Sequence, residues 1–290
     1  MRTDILFWFY KELPVCRERV AQCRALNPDA RIYGLYGGPP ERYPEAQAAL
    51  GPMLDDLYLF PEDRSSRWKW RHGEQLLYRW FRERGRHLDW DRLFLYQWDL
   101  VTFEPLGTLL ADVPAGTAML TGFRPMDSVR PWWHWSDPNA GGFQAFRSCL
   151  AAEHGYRREL YACLFIAACF PRPLLRDLAA SACGGLGFLE YSIPTLARAL
   201  GYEVVSPPAL TPWWAADPST RNVPRHRVAL NAVAKEIPPY VIDRELASPS
   251  GQRAFHPVFR SLRPPAPYRL AYAKGRVLDA ARSVKRILTG

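Results

Sequence analysis

The 290-residue chain holds six cysteines and not one CxxC pair. They stand at positions 16, 23, 149, 163, 169 and 183, far apart or inside apolar runs. That distribution argues against a zinc site or a disulfide scaffold and for buried, reduced thiols. Long apolar runs are also missing. The longest, residues 160–170, is eleven residues, too short to cross a bilayer. No secretion leader is expected, because Met1-Arg2-Thr3-Asp4 passes almost at once into a strand pattern. A cytoplasmic protein is expected, or one touching a membrane from that side. No internal repeat occurs, and no composition break divides the chain.

What is present describes a globular α/β chain able to bury a large core, with 48% hydrophobic and 23% charged residues. The formal charge of +9 favours anionic partners: nucleotide diphosphates, nucleic acid or an acidic membrane surface. Residues 5–10 and 31–36 read as buried strands, with a helix over 13–26 between them that has Pro14 early and stops at Asn27-Pro28. Strand, helix, strand in about forty residues is a βαβ unit with parallel strands. A short helix over 45–50, a third strand over 57–60, a polar loop over 61–66 and a long helix over 68–84 follow. Leu93-Phe94-Leu95-Tyr96 is a fourth buried strand, and with it an α/β nucleotide-binding arrangement is the leading fold.

That fourth strand breaks into Gln97-Trp98-Asp99. Ligands of open α/β sheets sit beyond the carboxyl ends of the strands, so Asp99 is a candidate oxygen ligand for a divalent cation; capping a turn is the plainer alternative. Lys69, Arg71 and His72 read as lying at the start of a helix, where they would meet phosphate, or else form a solvated face. The loop over 123–142 is crowded with Trp132, Trp133 and Trp135, which suit stacking on an acceptor. Further on, a helix over 143–154, a strand over 160–168, a helix over 171–182, a helix over 192–200 and a strand over 202–205 are expected. Residues 206–256 read as mostly irregular. In residues 268–288 an apolar stripe (Leu270, Ala273, Val277, Ala281, Val284, Leu288) is flanked by basic residues. Such a helix lies in an anionic membrane interface or packs on protein.

In this order the features resemble a glycosyltransferase of the GT-A fold, a family that moves a sugar from a nucleotide diphosphate to an acceptor. Four positions carry the resemblance: Phe9-Tyr10 with Tyr36-Gly37-Gly38, then Gln97-Trp98-Asp99, Phe188-Leu189-Glu190, and Ala254-Phe255-His256-Pro257-Val258. It spans roughly residues 4–260. It implies a mixed central sheet flanked by helices, with residues 1–265 as the transferase domain and 266–290 as the basic amphipathic helix. Phe9, Tyr10, Tyr36 and Gly37 would hold the base and ribose, with Lys69, His72, Gln97 and Trp98 completing the nucleotide-sugar site. Asp99 and His256 would hold Mn²⁺ (or Mg²⁺), and Glu190 would be the base of an inverting transfer. Gln97 departs from the family's Asp-x-Asp motif and leaves one carboxylate for the metal. The implied partners are a nucleotide diphosphate sugar and a glycan or lipid-linked acceptor in polysaccharide or glycoconjugate assembly, with an anionic membrane surface for the tail.

Three other readings compete. A nucleotidyltransferase on sugar phosphates would want a glycine-rich loop after the first strand, where Tyr10-Lys11-Glu12-Leu13-Pro14 stands instead. A nucleic-acid-binding module would cluster its arginines beside aromatics, whereas here they are spread along the chain, so no nucleic acid is expected. Gln97 keeps an inactive scaffold of the same fold in play.

Overall fold

The computed structural model describes residues 2–139, 141–220, 228–232, 235–262 and 277. The expected tail helix over 268–288 therefore lies outside the described residues, Val277 apart. The elements run β1 Thr3–Phe9, α1 Leu13–Leu26, β2 Ile32–Tyr36, α2 Tyr43–Leu50, β3 Asp56–Leu59, α3 Ser66–Arg71, α4 Gly73–Glu83 and β4 Arg92–Gln97. Then come β5 Val101–Thr102, α5 Leu106–Leu109, β6 Ala118–Leu120, β7 Arg124–Pro125, α6 Gly141–His154, β8 Tyr161–Ala162 and β9 Ala167–Pro171. The described part closes with α7 Arg172–Ala180, α8 Leu189–Ala199, β10 Val204–Val205, α9 Pro239–Ala247 and β11 Ala254–Phe255.

Seven strands form one sheet in the order β10-β6-β9-β4-β1-β2-β3. β3, β2, β1 and β4 run parallel, as the βαβ pattern dictates. β9 enters between β4 and β6 antiparallel to both, so the sheet is mixed, as expected. Every residue of β2 is buried, and Phe94 and Leu95 of β4 lie under neighbouring strands with 0% and 1% exposure. Continuous apolar runs rather than alternation are what a sheet covered on both faces requires. A second, smaller core of Val101, Ile237, Val241, Phe255 and Val258 lies beside it, built on the antiparallel pair β5 and β11. Among the described residues, no helix is long and apolar enough to cross a membrane.

Four local expectations need correction. The helix over 68–84 is two helices, broken at His72 (φ −128°, ψ 34°). Gly73, which opens the second helix, packs against Trp8, whose Cη2 would lie 2.3 Å from a Cβ on residue 73, so only glycine admits the approach. Gly73→Ala is accordingly expected to destabilise the fold by about 1–3 kcal/mol through overpacking, read by urea unfolding. The strand over 160–168 is likewise two, β8 and β9, in different sheets, with a turn over 163–166 between them. Its apolar run hides the turn, because burial and not strand pairing sets its composition. The stretch 206–256 contains α9, whose Val241 and Ile242 face the smaller core. Finally, Cys149 and Cys183 are joined by a disulfide, with Cα atoms 5.6 Å apart, while Cys16, Cys23, Cys163 and Cys169 are buried free thiols. Six separate reduced thiols were expected. The pair meets only because α6 and the turn after α7 are packed together.

Candidate active site

The parallel strands β1, β2 and β4 end on one edge, and a cleft of about 770 Å³ opens there. Its walls come from the loops leaving those strands: Tyr10 and Lys11 after β1, Gly37, Gly38, Pro39 and Arg42 after β2, and Asp63 to Ser66 after β3. Lys69 and Trp70 of α3 and Gln97, Trp98 and Asp99 after β4 continue the lining. Phe165, Ile166, Phe188, Leu189, Glu190, Ala232, His256, Pro257 and Phe259 close it from the far side. Asp99, Glu190 and His256, widely separated in sequence, thus share one cavity.

Asp99 and His256 are brought together by backbone pairing. Phe255 of β11 sits opposite Val101 of β5, and the amide of Val258 donates to the carbonyl of Asp99 at 2.8 Å. His256 then faces Asp99 with Nε2 3.5 Å from Oδ1. Its Nδ1 is 2.7 Å from the carbonyl of Asn231, which only accepts, so Nδ1 carries the proton. Burial works most strongly against the imidazolium, but the Asp99 carboxylate, the Asn231 carbonyl and Glu190 together outweigh it and raise the His256 pKa. Arg19 supports the same strap from beneath. Fully buried in α1, it donates to the carbonyls of Val258 (3.4 Å) and Arg260 (2.7 Å).

The donor set fits a divalent cation. Asp99 Oδ1 is buried with no hydrogen-bond partner among the described residues, an expensive state for a carboxylate oxygen without a ligand. Nε2 of a neutral His256 presents its lone pair to the same spot, with Nδ1–H oriented by a carbonyl as metal-binding histidines usually are. No group of three or more His, Cys, Asp or Glu suited to a metal occurs among the described residues. The remaining positions would fall to water and ligand oxygens, the habit of Mg²⁺ and Mn²⁺ at phosphate sites.

Glu190 is held differently. It lies in the first turn of α8, behind a turn in which Gly185 and Gly187 have φ of +92° and +80°. A side chain at residue 187 would also collide with Tyr191. The turn over 163–166 wraps it: the amide of Cys163 donates to its carbonyl at 2.8 Å and that of Phe165 to Oε1 at 2.9 Å, leaving Oε2 for a ligand. Burial pushes its carboxyl up to about 7, against the opposing pull of the Phe165 amide and of His256. Gln97 anchors the same turn by donating to the carbonyls of Phe165 and Ile166, so its amide nitrogen is occupied.

The structure sorts the other sequence candidates. Tyr10, Gly37, Lys69 and Trp98 line the cleft. Phe9 and Tyr36 do not; they are buried against one another behind it, 5.3 Å between centroids. His72 sits at the helix break, beside Trp68 and 3.8 Å from Glu74, outside the lining. Lys69 and Arg71 end α3 instead of starting it, which removes the helix-dipole argument for them. Burial lowers the Lys69 pKa. Trp132 and Trp133 pack edge-on against Trp214 and do not line the cleft, though Trp133 also meets Phe188 at 6.3 Å between centroids. Trp135 touches Trp70 and Phe188, which do line it.

Several lining residues escaped sequence reading. Lys11, Arg42 and the segment 63–66 all lie in the connections that follow parallel strands, so the carboxyl-end rule applied to every strand would have found them. Lys11 Nζ stands over the rings of Tyr10, Trp98 and Phe259 at 5.3, 5.0 and 5.9 Å. Phe165, Ile166 and Phe259 carry no local signal at all.

No protein-family model matches this chain. No curated protein matches it either. Among solved structures, the chain is similar to the bifunctional glycosyltransferase WbbM in its apo form, at 13% identity and a TM-score of 0.37, covering 71% of this chain and 39% of that one. It is also similar to the galactosyltransferase LgtC in complex with donor and acceptor sugar analogues, at 13% identity and a TM-score of 0.36, covering 70% and 72%.

Proposed function

We propose that the cleft binds a nucleotide diphosphate sugar and that the protein transfers the sugar, with inversion, to a hydroxyl of a glycan or lipid-linked acceptor. One observation carries this reading: a carboxylate with a raised pKa lines the same cleft as an Asp–His pair suited to a divalent ion, at the carboxyl ends of the sheet's parallel strands. Glu190 accepts the proton of the acceptor hydroxyl as the oxygen attacks the anomeric carbon. The bond from that carbon to the phosphate oxygen breaks on the opposite face, and the diphosphate leaves with the bonding pair. Lys11 and Lys69 line the cleft where that charge would grow. Mn²⁺ or Mg²⁺ on Asp99 and His256 would supply further charge neutralisation when bound. Tyr10, 37% exposed, offers a ring face for the base, with the buried Trp98 behind it edge-on, and Trp135 backs the rim at Trp70. Assembly of a surface polysaccharide or glycoconjugate belongs to the same proposal. Its membrane-facing part rests on residues 268–288.

The test is a thermal-shift screen with UDP-, GDP-, dTDP- and ADP-sugars, with and without Mn²⁺. A bound donor at a hundred times its Kd adds about 2.7 kcal/mol, which for a chain of this size is a rise of roughly 4–5 °C. One nucleotide should stand out, and Mn²⁺ should enlarge its shift. If none of the four moves the melting temperature under either condition, the donor reading fails.

A further inference from the structure

A second cavity, of about 410 Å³, shares no lining residue with the cleft. Four guanidinium groups surround it: Arg82 near the end of α4, Arg86 in the turn that follows, and Arg172 and Arg176 on α7. The apolar side chain of Phe81 lines the same hollow. It lies at the opposite edge of the sheet. Pro171 at the end of antiparallel β9 pairs with Arg92 at the start of β4, so α7 begins beyond the amino ends of the parallel strands.

The charge there is arranged and largely unmatched. Arg172 donates to the carbonyls of Leu88 and Arg86 and lies over the Trp90 ring at 5.4 Å, which fixes its plane. Arg82 donates to the carbonyl of Ala179 at 2.8 Å and ties the two helices together. Both nearby carboxylates are engaged, Asp177 by one of the four guanidinium groups itself. Asp177 takes Arg176 Nε at 2.7 Å and the Tyr202 hydroxyl at 2.6 Å, and Glu83 takes Arg79 at 2.8 Å and Tyr58 at 2.6 Å. Neither lines the cavity. Among the described residues, Arg82, Arg86 and Arg172 form no ion pair.

We propose that this cavity is a second anion site, which takes the phosphate group of a phosphate-bearing ligand. Holding the guanidinium groups of Arg82, Arg86 and Arg172 around one hollow without ion-pair partners raises the energy of the empty protein, and a bound anion relieves it. Guanidinium forks match phosphate oxygens two at a time. Arg172 opens a nine-residue helix, whose positive end adds to the attraction. The apolar wall of Phe81 suits an organic group attached to the phosphate. A soluble phosphate ester and a phospholipid headgroup present the same chemistry, and the test separates them.

The full-length protein and its Arg86→Glu/Arg176→Glu variant are compared at matched ionic strength, after circular dichroism shows both folded. Neither residue belongs to the cleft. Calorimetry with inorganic pyrophosphate reads the soluble source. Co-pelleting with phosphatidylglycerol vesicles, against pure phosphatidylcholine vesicles, reads the lipid source. Loss of one pyrophosphate equivalent in the variant, or a tenfold or greater weakening, supports a soluble ligand. An equal loss confined to the anionic vesicles supports a headgroup. Equal binding by the two proteins in both assays overturns the proposal, since pyrophosphate would then sit only in the cleft and vesicles elsewhere.

Discussion

Glu190→Gln is expected to lower the rate of sugar transfer by roughly 10²–10⁴-fold while donor binding stays within about twofold, because it removes a general base and little else. The substitution keeps the side-chain volume, and an amide oxygen can still accept from the Phe165 amide that holds Oε1 at 2.9 Å. Transfer needs the ionised carboxylate, so the wild-type rate should climb as pH rises through about 7. Stability runs the other way. The folded-state carboxyl is raised from 4.5 to about 7, so the native protein holds this proton more tightly than the unfolded chain. Its stabilising contribution is complete below pH 4.5 and is lost as pH rises through about 7. Glu190→Gln should therefore melt higher than wild type at pH 8 and no higher at pH 4. A variant with an undiminished rate removes Glu190 from the chemistry. One that melts lower at pH 8 shows a structural role instead.

The second large effect is expected at Asp99. Asp99→Asn keeps the shape but takes away the carboxylate whose buried Oδ1 accepts no hydrogen bond among the described residues. The backbone contact from Val258 uses the carbonyl and survives. Mn²⁺ affinity, read by electron paramagnetic resonance, should fall by more than the roughly 10–100-fold typical of changes outside the ligand shell. The Mn²⁺-dependent part of the donor's thermal shift should vanish with it. His256→Gln should reproduce the loss, since both side chains would hold one ion. Undiminished Mn²⁺ affinity in both variants places the ion elsewhere in the protein.

Part of this site is legible along the chain. Asp99 is marked by the sharp change from Leu93-Phe94-Leu95-Tyr96 to Gln97-Trp98-Asp99, a local signal of a strand ending. Glu190 is marked by glycines followed by a helical pattern, and Gly185 and Gly187 do adopt the positive φ that such a turn requires. The division of residues 68–84 into two helices is not legible. The glycine that opens the second helix packs on the ring of Trp8, more than sixty residues earlier, and periodicity registers only neighbours in sequence. The turn over 163–166 is hidden for a related reason: a buried turn carries the same apolar residues as a buried strand. Yet Phe165 and Cys163 supply the amides that fasten Glu190.

The sequence by itself determined the repeating strand–helix units of the first hundred residues, since short-range patterns of apolar side chains and backbone stops are enough to specify them. Tertiary structure alone decided that β9 enters antiparallel between β4 and β6, that Cys149 meets Cys183, and that β11 pairs with β5. That last pairing sets His256 3.5 Å from Asp99 across more than 150 residues of chain. Such contacts depend on which surfaces remain to be covered once the local elements have formed, and no window of sequence contains that information.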